Sequence, residues 1–131
     1  MRDKILDFSM RVWKACAFFV YMTKGMADVM FERKRQVYVL GFDAPHDDNW
    51  NRGELKEAAT VYIDKHLKRS RWPFGEFWYR PKDERQNLVR AAAMLIAEID
   101  RLDRIEMDKF LDERRQRREE EKTIRRKGKR R

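Results

Sequence analysis

The stretch NLVRAAAMLIAEIDRLDR, residues 87–104, decides the fold. Leu88, Ala92, Leu95, Ile99 and Leu102 recur every three or four positions, which places them on one face of an α-helix, and no Gly or Pro interrupts the run. Asp83 can cap the start of this helix, and Ile105, Phe110 and Leu111 can prolong its apolar stripe. So long a stripe is expected to face the core and make this helix the central element. Just upstream lies an aromatic loop punctuated by prolines, Trp72-Pro73-Phe74-Gly75-Glu76-Phe77-Trp78-Tyr79-Arg80-Pro81.

Further out, the same periodicity predicts three more helices. Ile5, Phe8, Val12, Cys16, Phe19 and Met22 share one face of a helix over about 3–23, and Trp13, Phe18, Val20 and Tyr21 widen it. Gly25 can end that helix, and Met26, Val29, Met30, Arg33 and Val37 support a second one to about residue 38. Residues 40–52, rich in Gly, Pro, Asp and Asn, read as a loop. Leu55, Ala59, Tyr62 and His66 mark a third helix over about 52–69, with His66 as a packing residue. The expected fold is therefore all-α: about four helices in a bundle over residues 1–111, an aromatic loop packed on it, and a charged helical extension over 112–131. Brief strand-like alternation at residues 36–40 is outweighed by the helix signals around it.

Five segments carry a resemblance to known proteins: Glu32-Arg33-Lys34-Arg35-Gln36, Gly41-Phe42, His46-Asp47-Asp48, Trp72-Pro73-Phe74 and the 87–104 helix. In this order they resemble a family of small uncharacterised bacteriophage and prophage proteins whose pattern reads ERxRQ, GW or GF, HDD, WPW or WPF, W-x-P, and an LVRAAALIAEIDRLDR-like helix. The resemblance spans about residues 31–104 and implies a phage-type origin, with the cytoplasm of an infected bacterial host as the place of action. Glu54 and Glu57 depart from it, standing where members of the family are often alanine-rich and uncharged.

Composition limits the function classes. The 131 residues suit one compact domain, and the net charge of +9 is concentrated in residues 111–131, where eleven basic side chains face five acidic ones. A nearly neutral body with a basic tail reads as an electrostatic arm appended to a domain. The single cysteine, Cys16, excludes an intrachain disulfide. The apolar run 15–22 is too short to cross a bilayer, so no membrane span is expected.

Four groups of residues are candidates to carry chemistry. Glu54 and Glu57, with Glu98, Asp100 and Asp103 on a second helix, resemble the facing acidic pairs of MazG-like nucleotide pyrophosphohydrolases, which would make magnesium the cofactor. Solvated carboxylates beside Arg101 and Arg104 explain them more simply. His46 and Asp47 can bind a metal or move protons, or with Asp48 can cap and shape a loop. In the aromatic loop Trp72, Phe74, Phe77, Trp78 and Arg80 mix rings and cations as single-stranded nucleic-acid binders do; the same rings, joined by Trp50, can instead fold back as a plug. Arg114, Arg115, Arg117, Arg118, Arg125 and Arg126 can attract any polyanion. Val12, Trp13, Phe18, Phe19 and Tyr21 offer an apolar interface, within the fold or in a homodimer.

No phosphate-binding glycine loop, zinc spacing or serine-nucleophile motif is present. The reading is accordingly a phage-type accessory protein that binds, without a cofactor, a host or phage nucleic-acid-handling protein or nucleic acid itself. A magnesium-dependent nucleotide hydrolase is the alternative.

Overall fold

The computed structural model of the protein describes residues 21–64, 66–67 and 69–129. These form an all-α fold with four helices: α1 (Lys24–Tyr38), α2 (Ala44–Asp48), α3 (Glu54–Ile63) and α4 (Glu84–Lys129), plus 3₁₀ turns at Arg69–Arg71 and Glu76–Trp78. The helix expected over 3–23, with Val12, Trp13, Phe18 and Phe19, lies outside the described residues, apart from its last few positions. Tyr21, at its end, is exposed.

Local chemistry sets the helix ends. Thr23 caps α1 by accepting from the Met26 amide, and Asp43 caps α2 by accepting from the His46 amide. The chain reverses at Gly41 and enters α3 at Gly53, both at positive φ, where a side chain would be strained. Asp83 accepts from the Gln86 amide at 3.0 Å and so starts α4 as its sequence position suggested. The Asn87 side chain reaches back to both the amide and the carbonyl of Lys82, locking that first turn. The loop expected over 40–52 contains the short helix α2, and the third helix ends at Ile63, earlier than its periodicity suggested.

α4 is the element on which the others pack. Asp28 pairs with Arg85, and Gln36 and Met94 line the same two cavities, so α1 runs parallel to α4. Tyr62 lies under Arg90 and Glu54 near Arg101, so α3 runs antiparallel to it. Asp48 of α2 holds Arg104 through a paired contact at 2.7 and 3.0 Å.

The face of α4 that does this packing is not the expected one. Leu88, Leu95, Ile99 and Leu102 are exposed, Leu95 by 38% and Ile99 by 56%, while Ala91, Ala93 and Ala97 are buried. Ala91 joins Ala58, Ala59, Val61 and Tyr62 of α3 and Trp72 from the loop in one core cluster, with Met94 of α4 packed against it. Small side chains on both surfaces let two helix backbones approach closely, and the bulky aromatic residues fill the space beside them. His66 is also corrected: it follows α3 in a turn and is exposed.

Candidate binding site: an aromatic cavity beside a closed polar relay

The aromatic loop divides into an inner and an outer part. Trp72 is buried, donates its indole N–H to the Gly75 carbonyl, and packs edge-on against Tyr62 and Phe74. Tyr79 leans on Trp72 and Tyr62, and the Tyr62 hydroxyl accepts from the Arg80 amide. Arg90 of α4 donates to the Arg80 carbonyl, tying the end of the loop to the central helix. Phe77 and Trp78 remain outside, with the Arg80 guanidinium 4.7 Å over the Phe77 ring. Trp72 and Phe74 therefore follow the plug reading, and Phe77, Trp78 and Arg80 stay available at the surface.

Ring contacts continue from the loop into α2. Trp78 meets Phe42, Phe42 stacks on His46 at 4.6 Å, His46 touches Trp50, and Trp50 meets Phe74. Together with Trp72 these rings enclose most of a cavity of about 220 Å³, whose remaining wall includes Gln36, Met94 and Ala97. Trp50 thus joins the aromatic cluster, as the plug reading expects.

At one wall of the cavity sits the pair of motifs from α1 and α2. Arg33 donates one guanidinium nitrogen to Asp47 at 2.6 Å and the other to the Phe42 carbonyl at 3.1 Å. Asp47 is 1% exposed, and its second oxygen lies 3.1 Å from His46 Nδ1. Trp50 Nε1 points at His46 Nε2 from 3.4 Å. This arrangement assigns the proton to Nδ1, donating to Asp47, and leaves Nε2 to accept from the indole. Each imidazole nitrogen and each carboxylate oxygen thus has a partner within the fold, and the cavity beside them offers ring faces and shape.

The residues considered for magnesium are not brought together. Glu98 is locked to Arg101 by paired contacts at 2.9 and 3.0 Å, and both side chains are buried. The hydrogen bonds from Arg101, opposed by desolvation, hold the Glu98 carboxyl below its ordinary range. Glu54 accepts from the Arg52 amide, Glu57 faces Arg71 at 3.5 Å, and Asp100 and Asp103 are exposed. Among the described residues, no three His, Cys, Asp or Glu side chains are grouped so as to hold a metal ion.

Arg114, Arg115, Arg117, Arg118, Arg125 and Arg126 all lie exposed on the distal part of α4. Arg115 pairs with Asp112 and Lys122 with Glu119, while Arg114 covers the Phe110 ring. No described helix is long and apolar enough to cross a membrane. The Arg33–Asp47 pair was not foreseen as a unit, although one signal for it existed: opposite charges in two motif segments, 14 residues apart across a glycine turn.

No family profile matches the chain, and no curated protein or solved structure matches it.

Proposed function

We propose that the protein acts by binding: a small accessory protein of phage type, as its motifs suggest, that docks on nucleic-acid-handling machinery and lays the distal half of α4 along nucleic acid. The observation that carries this reading is the charge arrangement of that arm. At about 100° per residue, Arg114, Arg118, Lys122 and Arg125 fall within roughly a quarter-turn of one another with Glu121 beside them, whereas the other four acids, Asp112, Glu113, Glu119 and Glu120, point elsewhere. From Met107 to Lys129 the helix extends for about 34 Å, close to one turn of duplex DNA. The head adds the exposed rings of Phe77 and Trp78 as a docking surface for a protein partner.

Four phosphate contacts would release counterions with a slope of about −3.6 in log affinity against log salt. Binding to a labelled 20-base-pair duplex should therefore weaken by about 100-fold between 50 and 200 mM salt, equally for unrelated sequences. A chain truncated after Leu111 should lose both the affinity and the slope. Retention of both after truncation refutes the assignment to the arm. For the head, a partner captured from bacterial lysate should survive nuclease treatment and be lost with Trp78→Ala.

A further inference from the structure

A second cavity lies against the aromatic one. It measures about 260 Å³ and is edged by Glu32, Arg35, Tyr62, Phe77, Arg80 and Arg90. Gln36, Phe42, Trp78 and Met94 line both spaces, so only side chains separate them. One space is walled by rings and the other by arginines, a division that suits a nucleotide, with its flat base to stack and its phosphate to neutralise.

We propose that the head binds a purine nucleotide, the base in the aromatic cavity and the phosphate against Arg80 and Arg90; the assignment concerns the head and does not rest on the arm's contact with duplex DNA. Size is the first argument. An apolar cavity of about 150 Å³ holds benzene, so about 220 Å³ leaves room for a bicyclic ring. Gly75 and Trp78 are the exposed residues of its lining and mark its mouth.

The second argument is polarity. Gln36 is 3% exposed, and its side-chain amide donates to Glu32 at 3.3 Å. Among the described residues its Oε1 accepts from no donor, while no side-chain nitrogen or oxygen sealed from solvent lacks a partner. Oε1 therefore opens into the cavities that the residue lines. With the second amide hydrogen beside it, Gln36 presents the acceptor and donor that pair with N6 and N7 of adenine.

The third argument is charge. Arg35 meets both oxygens of Glu32, so those two charges offset each other. Among the described residues neither Arg80 nor Arg90 has a carboxylate partner: the Arg80 guanidinium rests over Phe77, and Arg90 uses one nitrogen on the Arg80 carbonyl. Two uncompensated guanidinium groups in one groove favour a phosphate. An aromatic side chain of a partner protein would use the rings and leave these cations and the Gln36 amide unmatched.

Titration of the full-length chain with adenosine 5′-monophosphate, adenosine and ribose 5-phosphate, read by calorimetry and by tryptophan fluorescence, tests the assignment. The monophosphate should bind saturably and more tightly than either of its parts. Arg80→Met should weaken it by about tenfold or more and leave adenosine unchanged. Gln36→Leu should weaken both adenine compounds by about tenfold or more and leave ribose 5-phosphate unchanged. If Gln36→Leu folds poorly, inosine 5′-monophosphate, with oxygen in place of the N6 amino group, reads the same contact on the unaltered chain and should bind about tenfold more weakly. A short deoxyadenosine single strand that displaces the monophosphate names an unpaired nucleotide of a strand as the source, and one that does not names the free nucleotide; both support the site. No binding of the monophosphate, or equal losses of adenosine and the monophosphate in Arg80→Met, overturns the proposal. So does N-acetyltryptophanamide binding as tightly as the monophosphate, which would assign the cavity to a partner's aromatic side chain.

Discussion

Asp47 and Asp48 are neighbours in sequence, and each binds an arginine, yet their removal should differ several-fold in cost. Asp47 is buried at 1% exposure against an Arg33 side chain exposed by 14%, and it also accepts from His46. Removing one partner of a buried pair strands the other charge and costs about 3 to 5 kcal/mol. Arg33 keeps one contact, to the Phe42 carbonyl, which points to the lower half of that range for Asp47→Ala. The Asp48–Arg104 pair is 48% and 32% exposed on its two sides, so water and salt already screen it, and Asp48→Ala should cost no more than about 1 kcal/mol. With a urea slope of about 2 kcal/mol per molar, the unfolding midpoint should fall by about 1.5 to 2 M in the first variant and by about 0.5 M or less in the second. A double-mutant cycle with Arg33→Met isolates the pair: the combined loss should be smaller than the sum of the single losses by about 1 to 3 kcal/mol. Equal midpoint shifts for the two aspartates, or strictly additive losses in the cycle, would show that the buried relay does not hold α1 to α2.

Two further outcomes follow from burial and charge. Trp72→Ala should cost about 3 to 5 kcal/mol, because the ring packs on Tyr62, Phe74 and Tyr79, whereas Phe77→Ala, 69% exposed, should stay within about 0.5 kcal/mol; urea titration of both variants checks this. Glu98→Gln weakens the charged contact with Arg101 and should cost about 1.5 to 3 kcal/mol at pH 7. Because the folded-state value of Glu98 is depressed, its contribution is present above the ordinary value of 4.5 and lost as pH falls through the folded value. The gap between variant and parent, followed by urea midpoints from pH 7 downwards, should therefore narrow below that point.

Helices were legible because their signals are local: Asp83 caps α4, and the spacing along Leu55, Ala59 and Tyr62 matches the buried face of α3. The buried face of α4 was not legible, for a physical reason. Periodicity identifies a strip of large apolar residues, but the alanines that α4 buries, Ala91, Ala93 and Ala97, are spread around the helix and suit close helix approach through their small size, a preference that appears only once partner elements are present. The aromatic loop was legible as a cluster, but which rings turn inward depended on the Trp72–Gly75 and Arg80–Tyr62 hydrogen bonds. The cavity and its relay join Arg33, Asp47, Trp50 and Trp72 from separate elements, and nothing local in the chain announces that meeting.

An alanine surface is smooth. Shallow ridges specify poorly how far one helix has slid along another, so the buried face of α4 alone would tolerate a shift by a turn. The two arginine clamps supply what that face lacks: Arg85 grips Asp28 and Arg104 grips Asp48, 19 residues and about 28 Å apart along the same helix. A slip by one turn of about 5.4 Å moves both guanidinium groups out of reach together. Each exposed pair contributes little to stability, yet the two act as the end marks of a ruler, and the position of the arm relative to the head is read from them.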